Sequence, residues 1–585
     1  MGTISDKLMR IINTKEDIRQ ALISKGYDVP TSIPFKEYAK MISDLPCRVD
    51  SFPDIEGIVA RYSALGLTNE QMAENPVWKD LTDNGHDLQM KNLAWKGMSG
   101  VGGYVGDFSK WVNNRDTTEI GITKSNSKVI IDVKVSQGSG KNIVFISKSN
   151  LGISNNVTIK ITSTYPEGVM KFANSASNKY LKLPSNGIIT LQDNPEYTSN
   201  EMHLHLASAD LGQITIEQLP LYPGFILGDG VDDFAVTEKE LNFEDTYTVY
   251  TAFIPFQNNP TRNMILCGAD SKKTFSMQYS SLVYVSFIAG NNYYINADFV
   301  NGLNLFACKR NGNNICIKNL LTNKVVTGTC GDWVENAGLY YLWKNAIYVS
   351  FARAAIAGQT ICNGYFSTDK DDEKVLDWYK KQYPWLFPDQ AWTTVGKTNE
   401  DEDRATIANI TGNGNDLVLS NFGFIEGSGY NEEGEHAGYL VTDGVDDMIT
   451  SSAFQMGKDF TIVGDWKFID NKKSGTGLVK GSSFYIYNTM IGLDLYINSG
   501  SVKNSLDGIK SINAACSDGR AYDRNWNEIL ANTGNVVGSG GMLEVSSSGG
   551  RFDRIAFKNL AIYPRILSKD DCIKAYNYLQ TLKSK

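Results

Sequence analysis

Two stretches of the sequence, GDGVDDFAV at 228–236 and TDGVDDMIT at 442–450, share the pattern Asp-Gly-Val-Asp-Asp followed by an alternating segment. Asp-Gly is a tight-turn pair, and alternation of apolar and polar residues is typical of a half-buried β-strand. The pattern therefore predicts a turn that leads into a strand. Because it occurs twice, it also predicts that the chain repeats one β-rich unit.

Two further pairs of segments support the repeat. VWKDLTDNGHDLQMKNLAW at 77–95 matches ATIANITGNGNDLVLSNFGF at 405–424, because both place Asn-Gly-x-Asp-Leu before an alternating strand. WKNAIYVSFARA at 343–354 aligns with FKNLAIYPRILS at 557–568. Short strands separated by Asn, Gly, Asp and Ser indicate a mainly β protein built from sandwiches.

The spacing of these segments indicates an insertion in the first copy. From Asp87 to Asp229 there are 142 residues, whereas from Asp416 to Asp443 there are only 27. The difference, 142 minus 27, leaves about 115 additional residues in the first copy. Alternating segments such as KVIIDVKV at 128–135 predict that this insert is an immunoglobulin-like β-sandwich.

The first 50 residues have a different pattern. Apolar residues recur there at helical spacing, Thr14 with Asp17 resembles a capping box, and Pro34 stands where a third short helix would begin. Three helices of this size cannot bury a core of their own. We therefore expect a helical module that trimerises, docks onto a larger structure, or packs as a cap on its own chain.

These patterns divide the chain into four units. The predicted units are a helical module at 1–50, a first jelly roll split between 51–108 and 220–390, an inserted immunoglobulin-like domain at 109–219, and a second jelly roll at 391–585.

Composition excludes several classes of function. The 585 residues include 56 Lys and Arg against 65 Asp and Glu, a net charge of −9, with no basic cluster, so nucleic acid is not an expected partner. No apolar run reaches the length of a membrane span, and the N-terminus lacks the pattern of a signal peptide. The eight cysteines form no CxxC pair, which favours reduced, structural thiols.

The NG(H/N)DL, DGVDD and KN(L)AIY segments together resemble laminin-G-like, concanavalin-type jelly rolls. INTKEDIRQALISKGYDVP at 12–30, followed by PFKEYAKMI at 34–42, is similar to the helical module at the start of virion proteins of tailed bacteriophages, notably fibres of crAss-like gut phages. The resemblance implies a head or tail fibre, or a capsid decoration protein, that is assembled in the host bacterial cytoplasm and displayed on the virion surface. It further implies anchoring to other virion proteins through residues 1–50 and a homotrimer.

Domains of this type often bind sugars with the help of a calcium ion, and no other cofactor is expected. The candidate calcium ligands are the carboxylates of the two DGVDD segments, namely Asp229, Asp232 and Asp233 in the first copy and Asp443, Asp446 and Asp447 in the second. Calcium takes six to eight oxygen ligands, and closely spaced carboxylates supply some of them. The alternative is structural, because Asp side chains in tight turns accept hydrogen bonds from main-chain amides.

Sugar binding also requires aromatic rings and amides near a loop. Two stretches have this composition. The candidate glycan contacts are Asn291, Asn292, Tyr293 and Tyr294 in the first jelly roll and Tyr522, Asn525 and Trp526 in the second. Alternating strand geometry sends Tyr293 and Tyr294 to opposite faces, so one of them is also a candidate for the core.

Catalysis is not expected, because glycosidases of related folds carry a dense acidic strand of the type E-x-D-x-x-E, which this sequence lacks. The sequence and the resemblance together predict a phage structural fibre that attaches to bacterial surface or mucus glycans. Two alternatives remain open: a virion connector without a glycan ligand, and a glycan depolymerase with paired carboxylates in a cleft.

Overall fold

The structure is a computed structural model that describes residues 52–584 with internal gaps. The predicted helical module at 1–50 lies outside the described residues. The gaps are 114–117, 137–140, 153–156, 175–178, 192–200, 208–209, 257–262, 268–274, 280–282, 290, 299, 301, 333–335, 345–350, 433–435, 470–476, 482–483, 489–491, 498–504, 508–511, 531–539, 542, 546, 549–550 and 553.

The first sandwich is formed by two separate parts of the chain. Its first part contains β1 Ile58–Ser63, β2 Val77–Trp78, β3 Leu88–Lys91 and β4 Gly100–Val101, with the short helix α1 Asn69–Glu74.

The inserted sandwich follows directly after a 3₁₀ turn at Phe108–Lys110. Its strands are β5 Val112–Asn113, β6 Ile120–Lys124, β7 Lys128–Val133, β8 Lys141–Ser147, β9 Val157–Ser163, β10 Met170–Asn174, β11 Lys179–Lys182, β12 Asn186–Leu191, β13 Glu201–Leu206 and β14 Gly212–Gln218, with the helical turn α2 Lys148–Leu151. They form two five-stranded antiparallel sheets, ordered β11-β10-β13-β8-β5 and β12-β9-β14-β7-β6.

The first sandwich then resumes. Its second part contains β15 Ile226–Asp229, β16 Phe234–Thr237, β17 Leu241–Phe243, β18 Thr246–Pro255, β19 Asn263–Cys267, β20 Phe275–Tyr279, β21 Val283–Ala289, β22 Asn291–Ala297, β23 Asn304–Asn311, β24 Asn314–Asn319, β25 Lys324–Thr329, β26 Asn336–Gly338, β27 Tyr341–Leu342 and β28 Arg353–Asn363. Helix α3 Asp369–Gln382 and a 3₁₀ turn at Pro384–Leu386 close this unit.

The second sandwich is continuous in sequence. Its strands are β29 Gln390–Thr393, β30 Thr406–Ile407, β31 Leu417–Ser420, β32 Gly429–Asn431, β33 Tyr439–Val441, β34 Met448–Ser451, β35 Phe454–Gln455, β36 Thr461–Phe468, β37 Gly477–Gly481, β38 Phe484–Asn488, β39 Gly492–Ile497, β40 Ser505–Asp507, β41 Ile512–Cys516, β42 Arg520–Asp523, β43 Glu528–Leu530, β44 Gly540–Gly541, β45 Glu544–Val545, β46 Ser547–Ser548, β47 Arg551–Phe552 and β48 Ile555–Tyr563. Helix α4 Lys569–Leu579 follows β48.

The two sandwiches have the same strand order. One sheet runs β4-β15-β28-β18-β23-β24-β25 in the first and β32-β33-β48-β36-β41-β42-β43 in the second, with β1 beside β28 and β29 beside β48. The facing sheets run β2-β3-β16-β27-β19-β20-β21-β22 and β30-β31-β34-β45-β37-β38-β39-β40. The prediction of a mainly β fold with a repeated sandwich, interrupted once by another sandwich, is therefore confirmed.

The strand pairing corrects the third pair of matched segments. Ile226 pairs with Ile356, and the equivalent Leu440 pairs with Phe557. Phe557 therefore corresponds to Ile356 and not to Trp343, so the alignment of 343–354 with 557–568 is wrong. The shared letters AIY therefore do not mark equivalent positions, since equivalence is defined by the strand pairing.

The two helices after β28 and β48 begin in the same way. The Thr368 side chain accepts from the amide of Asp371, and the Ser568 side chain accepts from the amide of Asp571. Such N-caps satisfy amides that have no partner within the helix. Helix α3 is held further by the buried ammonium of Lys309, which lies 2.8 Å from the Asp372 carboxylate on the helix.

Each sandwich has an apolar core between its own sheets, and a further core joins them. We call this further cluster the joint core. Its buried members include Tyr250 and Ala355 of the first sandwich, Val463 and Tyr563 of the second, and residues of both α3 and α4. In the joint core, the outer face of one sheet from each repeated sandwich packs against the helices and against the other sandwich. The two sandwiches therefore share buried surface.

Helix α4 contacts all three sandwiches. The Tyr578 hydroxyl accepts a hydrogen bond from the Leu303 amide of the first sandwich at 2.8 Å. The Asn577 side chain accepts from the Thr158 hydroxyl of the insert at 2.7 Å and donates to the Pro220 carbonyl at 3.2 Å. Buried polar groups of this kind are costly to leave unpaired, so they fix the position of α4. Among the described helices, none combines the length and the apolar character that spanning a bilayer requires.

Candidate functional site

The acidic segment of the first copy forms a turn that its own carboxylates close. The Asp233 carboxylate accepts from the Asp229 amide at 2.9 Å, and the Asp229 carboxylate accepts from the Val231 amide at 2.8 Å. Asn92 donates to the Asp232 carbonyl at 3.1 Å and ties the turn to the strand β3 region. Gly230, which follows Asp229, has a φ of 79°, a left-handed conformation that glycine adopts without strain.

The second copy repeats these three hydrogen bonds. The Asp447 carboxylate accepts from the Asp443 amide at 2.7 Å, and the Asp443 carboxylate accepts from the Val445 amide at 2.7 Å. Ser428 donates its hydroxyl to Asp447 at 3.1 Å. Asn421 donates to the carbonyl of the residue before Asp447 at 3.0 Å. The two turns are therefore equivalent, and each connects a strand of one sheet to a strand of the facing sheet, β15 to β16 and β33 to β34.

The last aspartate of each turn is buried. Asp233 is 1% exposed and Asp447 is 0% exposed. Desolvation, reinforced by the neighbouring aspartates and opposed by the amide and serine hydrogen bonds, raises the pKa of each carboxyl to about 6. Both groups therefore hold a proton more readily in the folded chain than in the unfolded chain.

The predicted calcium ligands do lie together. In each triad the carboxylate oxygens are within 4.8 Å of one another, which fits a single hard cation. The triads are Asp229, Asp232 and Asp233 in the first copy, and Asp443, Asp446 and Asp447 in the second. Main-chain amides already account for the position of the first and last carboxylate in each. Calcium binding at the triads thus stays a prediction.

The raised pKa values give a testable pH dependence. Because folding raises the pKa of Asp233 and Asp447, their contribution to stability is full below the ordinary pKa near 4 and is lost as the pH rises through about 6. The double variant Asp233→Asn and Asp447→Asn mimics the protonated form at every pH. We therefore expect the Tm of the wild type, relative to that of the variant, to fall by a few degrees between pH 4.5 and 7.5. An equal difference in Tm at both pH values would contradict this.

The predicted glycan contacts of the first sandwich lie on β22. The main chain of Asn291–Ala297 pairs with β21, with Tyr293 opposite Phe287 and Tyr294 opposite Ser286. The side chains of the four candidates, Asn291 to Tyr294, lie outside the described part of the structure.

The predicted contacts of the second sandwich are mostly buried. Tyr522 and Trp526 are both 0% exposed and belong to the joint core. The Trp526 ring packs edge-on against Tyr576 of α4 at 5.6 Å, and its indole N–H lies 3.4 Å from the Thr190 hydroxyl of the insert. Of the three candidates, Asn525 alone is exposed. Neither ring is therefore open to stacking on a sugar in this structure.

A cleft that the sequence analysis did not identify lies at the junction of the two sandwiches. It has a volume of about 320 Å³, within the range of roughly 300–1,000 Å³ that ligand sites occupy. We call it the junction cleft. Apolar residues of the joint core, including Leu303, Leu386 and Phe387, form part of its walls. Its lining comes from segments far apart in the sequence, so no short motif signals it.

Polar groups of both signs line the junction cleft. They are Lys380, Asp389, Thr411, Asn413, Arg565 and the hydroxyl-bearing Tyr578. Arg565 donates to the main-chain carbonyl of Lys380 at 2.8 Å, which links the second sandwich to the end of α3. A concave site with apolar walls and a few converging polar groups is the usual form of a small-ligand site.

Comparison with known proteins identifies no family. No protein-family model matches the chain, and no curated protein matches it. Solved structures with local similarity include the binding domain of botulinum neurotoxin serotype D, at 10% identity and a TM-score of 0.26 over 60% of this chain and 89% of that chain. The serotype C1 binding domain gives 9% identity and a TM-score of 0.26, covering 59% of this chain and 86% of that one. Domain 4 of a GH43 extracellular arabinanase from Geobacillus stearothermophilus, in complex with arabinotriose, gives 14% identity and a TM-score of 0.20, covering 26% of this chain and 80% of that one.

Proposed function

We propose that this chain is a carbohydrate-binding protein of a tailed-phage virion, and that the junction cleft is its glycan site. The observation that carries the glycan-binding part is the composition of the cleft. Hydroxyl groups of a sugar require hydrogen-bonding side chains, and its CH faces require apolar surface. The junction cleft presents both, on walls that belong to two sandwiches held in fixed relation by the joint core.

The same composition favours binding over hydrolysis. Glycosidases that use carboxylates place two of them across the scissile bond. Among the described residues that line the junction cleft, Asp389 is the single carboxylate. In the DGVDD turns, Asp233 and Asp447 each accept a hydrogen bond from a main-chain amide of their own turn, which is a structural role. A non-enzymatic adhesin therefore accounts for the site better than a depolymerase does.

The virion part of the proposal is supported by the resemblance of residues 12–42 to the helical module of phage fibres. Residues 1–50 would anchor the chain to other virion proteins. The whole chain would form a homotrimer and serve as a fibre or decoration protein. Several copies on one particle would convert weak sites into strong attachment through a high effective concentration. The outward-facing sandwiches would then contact bacterial surface or mucus glycans.

A glycan array of bacterial-surface and mucin sugars tests the binding function. We expect the folded full-length chain to bind a subset of these glycans, and to bind them equally in calcium and in chelator, since the junction cleft holds no cluster of carboxylates among its described residues. Binding that disappears in chelator would move the site to the aspartate triads. A blank array in both conditions, from folded protein, would contradict the proposal.

Purified phage particles test the virion assignment separately. We expect the full chain, but not a variant lacking residues 1–50, to remain with particles through density-gradient purification, as measured by mass spectrometry. As a control for folding, the Tm of the truncated variant should match that of the full chain. Absence of the full chain from particles would contradict the virion assignment and leave the glycan-binding function intact.

A further inference from the structure

The junction cleft carries an unbalanced positive charge. Lys380 and Arg565 both line it, against the one carboxylate of Asp389. Among the described residues, the Lys380 ammonium has no ion-pair partner. The Arg565 guanidinium donates to a neutral acceptor, the main-chain carbonyl of Lys380 at 2.8 Å. Two cations thus face one cleft without a described carboxylate paired to either.

The electrostatic environment of Arg565 agrees with this. Desolvation lowers the pKa of its guanidinium, and the neighbouring group that opposes the shift is Tyr563 rather than a carboxylate. Charge-assisted hydrogen bonds are stronger where water is partly excluded. A negatively charged ligand group should therefore bind this guanidinium, which has no acidic partner, more tightly than a neutral group would.

The single carboxylate of the cleft is placed to accept hydrogen bonds. The Asp389 main chain is fixed on both sides: its amide donates to the Ile562 carbonyl at 2.7 Å, and its carbonyl accepts from Asn413 at 2.8 Å and from Thr411 at 3.2 Å. No described residue bonds its side-chain oxygens. These oxygens are therefore available to hydroxyl donors of a ligand.

Apolar side chains supply the rest of the lining. Leu321, Leu376 and the rings of Pro388 and Pro564 border the cleft beside Phe387. They offer surface to the CH face of a ring while the polar groups take its substituents. A ligand that matches the whole lining is a ring that carries one carboxylate, several hydroxyls and an apolar face.

We propose that the junction cleft binds an acidic sugar residue, such as a hexuronic acid, with its carboxylate at Arg565 and Lys380 and its hydroxyls at Asp389. This inference rests on the proposed glycan-binding function and names the class of sugar that the site takes. It is distinct from the aspartate triads, whose negative charge would repel the same ligand.

Calorimetric titration of the full-length chain with glucuronic acid and with glucose tests the proposal. We expect glucuronic acid to bind about ten times more tightly than glucose at low salt, because a charge-assisted contact replaces a neutral one. The preference should shrink as the ionic strength rises. Equal affinity for the two sugars at low salt would overturn the proposal.

A matched pair of variants assigns the preference to the cleft. Lys380→Gln should lower the affinity for glucuronic acid by about fivefold, and should lower the affinity for glucose by clearly less. Lys381→Gln removes the same charge from the same end of α3, outside the cleft, and should change neither affinity. Asp389→Asn should weaken the binding of glucose, because it removes a charged acceptor of hydroxyl hydrogen bonds. If Lys380→Gln and Lys381→Gln both abolish the preference for glucuronic acid over glucose, the assignment of that preference to the junction cleft is wrong.

The glycan array and the calorimetric titration together distinguish an error in the acidic-sugar inference from an error in the proposed function. If the wild type binds neutral glycans on the array, shows no preference for glucuronic acid and is unaffected by Lys380→Gln, the acidic-sugar inference is wrong and glycan binding stands. If the wild type binds neither the array nor either free sugar, the proposed function is wrong and the inference falls with it.

Discussion

The burial of one short helix between three sandwiches is the constraint on which the rest of the structure depends. Helix α4 fills the space between the outer faces of the two repeated sandwiches with Cys572, Tyr576 and Leu579, all 0% exposed. Its polar residues Asn577 and Tyr578 then form hydrogen bonds to the insert and to the first sandwich. Apolar burial supplies most of the free energy of this junction, and the buried hydrogen bonds fix its geometry.

The junction cleft is a consequence of that packing. Arg565 lies between β48 and α4, and its guanidinium donates to the main-chain carbonyl of Lys380 near the end of α3, so this hydrogen bond brings both residues to the cleft. Leu582, just beyond α4, lines the cleft and belongs to the joint core. A site made in this way depends on the fixed relation of the two sandwiches and would lose its shape if that relation changed.

The sequence predicts those features of the fold that depend on residues close together in the chain. The turn at Asp443 recurs in both copies because its bonds join residues two to four positions apart, so the motif alone indicates it. The third repeat element was misaligned because the register of β48 is set by its neighbours in the sheet. The sequence makes Trp526 a candidate glycan contact, yet α4 and the insert cover its ring, and nothing near it in sequence indicates that cover. The cleft was missed for the same reason, since its lining is assembled from distant segments.

Hydrogen exchange of the full-length chain, compared with that of Leu579→Ala, tests most directly whether the sandwiches share one core. The substitution removes a fully buried side chain of α4 and should cost about 2–5 kcal/mol. If the joint core couples the units, amides of β18 in the first sandwich and of β36 in the second should both lose protection. Loss of protection confined to the second sandwich, which precedes α4 in the chain, would contradict the account.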